Sequence, residues 1–487
     1  MSQTEIELRR EDAPAPLDDP GSSLARRRFE RRLHRSMYFG AQRMRGRPIG
    51  KLMRRLSEWD RLDAERYAAL SRAKLEEMLS FAAERVPLYR SGPWRDVAGG
   101  VDDLARWPLL DRRLIAEDRE ALIPEGMFRG LLFQRRSSAS TGTPIVVAWT
   151  LAGVAWSWAA EYHPMLWHGL EIGARTLRMW GSSIGLENFI LNRRFVPAHD
   201  LTPERLEEAV RYIETRKPDL VWGTPSAVHE LARYIGRTRG PGARPRVPFV
   251  KVGGEQLYAF QRDDMARHLG GRVIESYGCT EMGPMAAECP AGSMHVLTMN
   301  VHIEIFRDGQ RAAPGELGEI VATTLVNRGM PLVRCRIGDL GALSPEPCAC
   351  GRPQPVLAEL QGRAADLVFK TDGTPLHGSE LGRALERYAD RPPLGAAQKV
   401  QFEQLERAAW KVRIESHEPL EHAALERQVR ELMCDVLGPD CRAEVEVVAK
   451  IEREPSGKFR YYRALPARAN PSSGHDGATR FGGRRLS

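Results

Sequence analysis

The stretch LTPERLEEAVRYIETRKPDLVWGTPSAVHELARYI, Leu201 to Ile235, decides the fold. Thr202 reads as a hydroxyl N-cap with Pro203 at the first helical position, where a missing N–H costs nothing. The helix so started runs to Arg216, a short apolar strand follows at Leu220 to Trp222, and a second helix begins at once. Working outward, the same beat continues through VPFVKVGGEQL (Val247 to Leu257) and GRVIESYGCTEMG (Gly271 to Gly283). Repeated βαβ units of this kind predict an α/β domain built on a mostly parallel, doubly wound sheet. From Val301 the period changes: VHIEIFRDGQRAAPGELGEIVATTL alternates in twos around Asp308-Gly309 and Pro314-Gly315, which predicts an antiparallel β portion after the α/β core.

Upstream, Ser57 to Val86 is helical in pattern, so the large domain has a helical entry segment. Downstream of Gly362 a smaller α+β unit begins: a hairpin-like LVFKTDGTPLHG, a helix from Ser379, strands at KVQFEQLE and AAWKVRIES, a helix from Leu420 to Leu437 and a last strand, AEVEVVAKI. The expected organisation is a disordered arm over 1–25, a large domain over 26–361, a small mobile C-terminal domain over 362–466, and a disordered tail over 467–487.

The chain has 487 residues, too many for one hydrophobic core, and its 42% hydrophobic and 28% charged content is that of an ordinary globular protein. No uninterrupted apolar run reaches the roughly 18 residues of a membrane span, and Met1 to Asp12 alternates charges where a signal peptide needs an apolar stretch. A cytoplasmic location is the expectation. Seven cysteines without a secretory signal do not read as a disulfide framework. The net charge of +8 concentrates in segments such as RRRFERRLHR (Arg26 to Arg35), which reads first as a solvated helix and only secondarily as a nucleic-acid-binding arm, since no aromatic residues are interleaved.

Four segments carry candidate chemistry. RRSSASTGTPIVV (Arg135 to Val147) offers small and hydroxyl residues whose amides and hydroxyls suit phosphate oxygens, or is a plain surface loop; it lacks the spacing of a Walker A loop. ESYGCTEMGP (Glu275 to Pro284) places Tyr277, Thr280 and Glu281 where they could stack a base, bond a phosphate and hold Mg²⁺, or simply end a strand. RCRIGDLG (Arg334 to Gly341) puts Asp339 in a turn, where a carboxylate can accept from two ribose hydroxyls. In EREPSGKFRYYR, Lys458 follows a Pro-Ser-Gly turn. Separately, Cys289 and His295 (C-x5-H) with Cys348 and Cys350 (C-x-C) make a Cys₃His set of the kind that closes a structural zinc site, the alternative being three unrelated thiols and a surface histidine.

In this order and at these separations, the four segments resemble the adenylate-forming (AMP-binding) superfamily. VPLYR at Val86, SSASTGTP, GGEQL at Gly253, YGCTE, ECPAGSMH, CACGRP at Cys348 and LQGRAADL resemble its phenylacetate-CoA ligase and CapK branch over roughly Leu75 to Leu465. The resemblance implies a ligase that uses ATP and Mg²⁺ to turn a carboxylic acid into an acyl-adenylate, releasing pyrophosphate, and then passes the acyl group to coenzyme A. It implies phosphate binding by Ser137, Ser138, Ser140, Thr141, Gly142 and Thr143, and an adenine pocket lined by Gly253, Gly254, Glu255, Tyr277 and Gly278. Thr280 and Glu281 would meet phosphate and Mg²⁺, Asp339 and Arg363 would hold the ribose, and Lys458, on the mobile domain, would stabilise charge in the transition state.

Three departures stand out: Ala139 and Thr143 replace the family's loop glycine and basic residue, Ala365 with Asp366 stands at the hinge, and KTDGTPLHGSEL replaces the glycine-containing stretch that admits coenzyme A. They leave transfer to an amine or a carrier-protein thiol as the alternative, with a non-catalytic basic nucleic-acid-binding protein as a minor one. The aromatic run Trp156 to Phe189, with Trp222 to Ser226, is either core or the border of an acyl pocket suited to an aryl or unsaturated acid.

Overall fold

A computed structural model describes residues 24–94, 101–137, 145–182, 185–240, 245–363, 367–388, 391–416, 419–454 and 458–463. A short hairpin, β1 (Phe133–Arg136) with β2 (Val146–Trp149), precedes the main sheet. The parallel strands are β3 (Thr176–Trp180), β4 (Arg193–Pro197), β5 (Leu220–Gly223), β6 (Phe249–Gly253) and β7 (Arg272–Cys279). The antiparallel ones are β8 (Gly283–Glu288), β9 (Met294–Val296), β10 (Val301–Arg307), β11 (Gln310–Arg311), β12 (Gly318–Thr324), β13 (Cys335–Leu343) and β14 (Val356–Arg363). The two portions are one continuous twelve-stranded sheet, ordered β11-β10-β12-β13-β14-β9-β8-β7-β6-β5-β3-β4, with β7 and β8 joining the halves.

Local chemistry accounts for the parallel half. The Thr202 hydroxyl accepts the Arg205 N–H, and the helix Pro203–Arg216 buries Leu206, Ala209, Val210 and Ile213 on one face. Lys217 ends it in a left-handed conformation, and β5 follows with all four residues buried, as a strand covered on both faces requires.

The entry segment is three helices rather than one run: Leu24–Met44, Ile49–Trp59 and Ala64–Arg85. The break at 60–63 exists because the Asp63 carboxylate caps the third helix by accepting from Arg66 N at 2.8 Å. The arginine-rich first helix is docked on the large domain instead of being simply solvated. Arg31 pairs with Asp219 at 3.2 Å, Arg35 with Glu171 at 2.9 Å, and its Glu30 with Arg175 at 2.6 Å. Gly173 lets this helix approach, since a Cβ there would lie 2.4 Å from the Arg31 carbonyl. Among the described residues no helix is long and apolar enough to cross a membrane.

The C-terminal unit carries the hairpin β15 (Leu367–Phe369) and β16 (Pro375–His377), then a four-stranded sheet ordered β19 (Arg442–Val448), β18 (Ala409–Glu415), β17 (Lys399–Gln404), β20 (Tyr462–Arg463). The helices Ser379–Leu385 and His422–Leu437 pack on it. Two details differ from the sequence reading. β14 extends through Arg363, so the large sheet ends two residues later than expected, and β20 is a strand that the sequence reading lacks. β20 runs parallel to β17, with Phe402 N donating to Tyr461 O at 2.8 Å, and so pins the segment that carries Lys458.

Candidate active site

Strands β6 and β7 end on one side of the sheet, where irregular backbone collects and ligands of open α/β sheets bind. There Gly254 and Glu255 follow β6, Tyr277 and Gly278 lie on β7, and Thr280 and Glu281 form the turn into β8. Asp339 comes from β13, Arg363 from β14, Ser137 from the end of β1, and Lys458 from the C-terminal domain; all ten residues line a single cavity. Ser138, Ser140, Thr141, Gly142 and Thr143 lie outside the described residues, as do Ala139, Ala365 and Asp366. Ser137 closes the base of the 138–144 segment: its N donates to Ile145 O and its Oγ accepts from Ile145 N, both at 2.9 Å.

Asp339 is not in a turn. It sits within β13 opposite Arg363 of β14, beside a register shift and after Gly338 at φ +81°, and this irregularity aims its carboxylate into the cavity. Tyr277 Oη donates to Asp339 Oδ2 at 2.7 Å, and Arg363 Nε lies 3.2 Å from Oδ1. Arg363 Nη1 also donates to Ile337 O at 3.0 Å, fixing the guanidinium. Burial and the Asp339 charge hold the Tyr277 hydroxyl well above its usual range, so it stays a donor. Burial works against the Arg363 charge, but Asp339 together with Cys279, Glu281 and Tyr277 outweighs it and raises its pKa.

Glu281 is almost fully buried and lies against the Arg112 guanidinium as an ion pair. Oε1 is the oxygen on the guanidinium, and a carboxylate has a second oxygen that can accept from another partner. Glu255, expected against adenine, spends its carboxylate on two backbone amides: Ser226 N at 3.0 Å in the large domain and Phe459 N at 2.9 Å in the small one. Arg453 reinforces the junction through Ser226 Oγ (2.6 Å) and Glu230 (2.7 Å), and Gly382 packs on Tyr258. Lys458 is thereby delivered beside Gly254.

A second cavity adjoins the first and shares Gly254, Ser276 to Thr280 and Lys458 with it. Its other walls are Ser157, Trp158 and Glu161 on the helix Leu151–Trp167, Arg178 and Trp180 on β3, and Trp222 on β5. The two cavities together can hold a nucleotide and an acyl group with Lys458 at their junction.

Beneath them, Glu275 on β7 accompanies Glu288 and Arg262: Arg262 reaches Glu288 at 3.0 Å and Glu275 at 3.5 Å. Burial pushes the Glu275 carboxyl up to about 7, Arg262 opposing and Glu288 reinforcing the shift. A carboxyl raised in the folded state holds a proton that the unfolded chain has lost, so this contribution to stability is full below about pH 4.5 and lost as pH rises through about 7. By pH 8 the difference is on the order of 3 kcal/mol. Glu275→Gln should therefore raise the melting temperature at pH 8.5 while leaving it nearly unchanged at pH 4.5. Parallel melting curves for the variant and the natural chain at both pH values would contradict this.

On the far side of β8 the donor atoms of Cys289, His295, Cys348 and Cys350 all lie within 4.8 Å of one another. Cys289 Sγ and Cys348 Sγ are 3.8 Å apart, and Cys350 Sγ is 3.2 Å from His295 Nε2. Two thiolates at 2.3 Å from a tetrahedral zinc stand about 3.8 Å apart, so the donor set fits that ion. His295 Nδ1 faces Gln354 O at 3.1 Å, which leaves Nε2 as the free lone pair toward the thiols.

Sequence reasoning missed Arg112, Arg178, Glu255 as the domain bridge, and Arg453. Nothing local distinguishes Arg112 among the many arginines; its role follows from the helix Arg112–Glu117 packing beside β13. Trp222 and Trp180 do fall within the aromatic segments noted in the sequence.

Comparison with known proteins agrees with this geometry. Residues 184–325 match the AMP-binding enzyme family and residues 391–463 match the CapK C-terminal domain. The chain is 28% identical over 344 residues to the phenylacetate-coenzyme A ligase of Thermus thermophilus, covering 64% of this chain and 74% of that one. With the Escherichia coli enzyme of the same name it is 26% identical, covering 67% and 77%. Protein CapK of Staphylococcus aureus is 25% identical over 150 residues, 31% of this chain and 32% of that one. Among solved structures, 2-hydroxyisobutyryl-CoA ligase in its postadenylation state superposes with a TM-score of 0.68 at 20% identity, covering 85% and 92% of the two chains, a likeness of fold. These matches support the adenylate-forming, AMP-binding superfamily and, within it, the branch of the phenylacetate-CoA ligases and CapK.

Proposed function

We propose that the protein activates a carboxylic acid with ATP, forming an acyl-adenylate and pyrophosphate, and then transfers the acyl group to coenzyme A. The observation that carries the reading is the convergence of Thr280, Glu281, Asp339, Arg363 and Lys458, from separate stretches of the chain, on one cavity. The four phenylacetate-coenzyme A ligases matched over 71% to 77% of their own length support the acceptor. In this reading the Asp339 carboxylate, oriented by Tyr277 and Arg363, accepts from the ribose hydroxyls. Glu281 would hold Mg²⁺, which supplies charge neutralisation on the phosphates when bound. Lys458 places its ammonium where the acid carboxylate meets the α-phosphorus and stabilises the charge that develops on the phosphoryl oxygens; no proton transfer is needed. The base of the phosphate-binding segment is closed by Ser137.

We further propose that the Cys₃His cluster holds a structural zinc. It is closed, with four protein donors, so it has no open position for chemistry. Among the described residues all seven cysteines are free of disulfides, so the four donors of the cluster are available to a metal.

The direct test is acid-dependent pyrophosphate release from ATP and Mg²⁺ across aryl, unsaturated and aliphatic acids, followed by offering coenzyme A, an amine or a carrier-protein thiol to the product. Release with particular acids and a coenzyme A thioester as product are expected. An amide or a carrier-bound acyl group would keep adenylation and replace the acceptor. Silence from folded protein with every acid would overturn adenylation itself.

A further inference from the structure

The acyl cavity contains a guanidinium with an open N–H. Arg178, Trp222, Lys251 and Ile274 are register partners across β3, β5, β6 and β7, so they form one row on one face of the sheet. Three positive charges crowd the Trp222 ring: Arg178 at 4.2 Å from its centroid, Lys251 at 4.3 Å and Arg193 at 5.1 Å. Two of them are answered within the protein. Lys251 is ion-paired with Glu161, and Arg193 donates to Tyr162 Oη at 2.9 Å. Arg178 is held between Trp222 and Trp180, 5.1 Å from the latter, and its Nη1 is shielded from solvent without a hydrogen-bond partner. A buried guanidinium N–H left unmade is costly, and a site that keeps one open does so for a ligand atom. Desolvation first, and the neighbouring Arg193 second, pull the Arg178 pKa down to about 10, so it remains charged at neutral pH.

Position adds the second half of the argument. Gly253 pairs with Ser276, two residues along the strands from the Lys251–Ile274 pair, and Gly278 lies two further on, beside Thr280 and Lys458. At the rise of a β-strand, each such step is about 7 Å. Only glycine fits at 253, since a Cβ there would collide with Ser276 on the neighbouring strand. Arg178, Trp180, Trp222 and Lys458 line this one cavity, so a ligand whose carboxylate meets Lys458 extends its other end along the indole walls toward the Arg178 side chain.

Resting on the adenylate-forming reading above, we propose that the acid this protein activates carries a second anionic oxygen group at the end remote from its reacting carboxylate, on a flat aromatic or conjugated frame, and that Arg178 receives it between Trp180 and Trp222. The site would then choose dianionic acids over their neutral-ended counterparts. The frame lies along the tryptophan-lined walls of the cavity, and the far group takes the hydrogen bond that the protein leaves open.

The experiment compares kcat/KM for pyrophosphate release with 4-carboxyphenylacetate against phenylacetate and with 4-carboxycinnamate against cinnamate. The natural chain should favour the dianionic member of each pair by about 10- to 100-fold, the worth of one hydrogen bond to a charged group. Arg178→Met should erase that preference, bringing kcat/KM for the dianionic member of each pair down to that of its neutral-ended counterpart, and Arg178→Lys should keep part of it. Melting curves identify a variant that has lost its fold, and in that event the substrate ratio of the natural chain decides alone. A natural chain that uses phenylacetate or cinnamate as well as its dianionic counterpart, or an Arg178→Met variant that slows both members equally, overturns this inference and leaves adenylation standing. No pyrophosphate with any acid overturns both.

Discussion

Lys458→Ala should lower acyl-adenylate formation by at least two to three orders of magnitude while ATP binds with nearly unchanged affinity. Loss of one preorganised donor aimed at developing charge costs about 10²- to 10³-fold in comparable sites, and a full ammonium in a partly dehydrated cleft is worth no less. ATP affinity is expected to survive because the residues assigned to ribose and base, Asp339, Arg363 and Tyr277, all belong to the large sheet and are held by each other. The lysine's placement depends instead on its flanks. Glu454 N donates to Lys458 O at 2.9 Å, Phe459 N donates to Glu255 at 2.9 Å, and β20 anchors the next turn. These three contacts run through the backbone, so they persist in the alanine variant. Burst measurements of acyl-adenylate and equilibrium binding of ATP separate the two effects. Unchanged acyl-adenylate formation would strip Lys458 of its role in charge stabilisation, and a parallel loss of ATP affinity would make it a binding residue instead.

The parallel half of the fold was legible because its signals are local. Thr202 and Pro203 start a helix, Lys217 stops it, and the apolar run of β5 needs no partner to be recognised. The hairpin turn around Asp308-Gly309 was legible for the same reason, both residues having positive φ in the structure. What escaped was decided by distant parts of the chain. Asp339 follows a glycine and so reads as a turn, yet pairing of β13 with β12 and β14 keeps it in a strand, and only the register shift turns its carboxylate inward. β20 is two residues long and exists because β17 offers it an edge, a fact absent from residues 462 and 463 themselves. The site divides along the same line. Residues in compact motifs, Thr280, Glu281 and Lys458, could be named from spacing and resemblance, whereas Arg112, Arg178 and Glu255 acquire meaning from what the fold places opposite them. An arginine is common in this chain; an arginine with an open N–H between two tryptophans is not.

Removing zinc should cost the large domain more than any single substitution outside its core. The four donors come from two separated segments: Cys289 and His295 bracket the β8–β9 turn, and Cys348 with Cys350 precede β14. β9 pairs with β14 through His295 and Val356, so the ion would staple the strand that ends at Arg363 to the hairpin that begins beside Glu281. Structural zinc in small domains contributes about 10 to 16 kcal/mol to folding, but here most of the surrounding sheet holds without it. A metal present at a thousand times its dissociation constant adds about 4 kcal/mol, which for a domain of this size lowers the melting temperature on removal by on the order of 10 °C. Cys348→Ser should show the same loss, with less than one zinc per chain by elemental analysis where the natural chain has one. Because the staple supports β14, the KM for ATP should rise along with the loss of stability, through Arg363 and Asp339, while the acid preference set on β3 and β5 stays as it was. Protein prepared without zinc that melts at the same temperature and binds ATP equally well would leave the four residues as ordinary packed side chains.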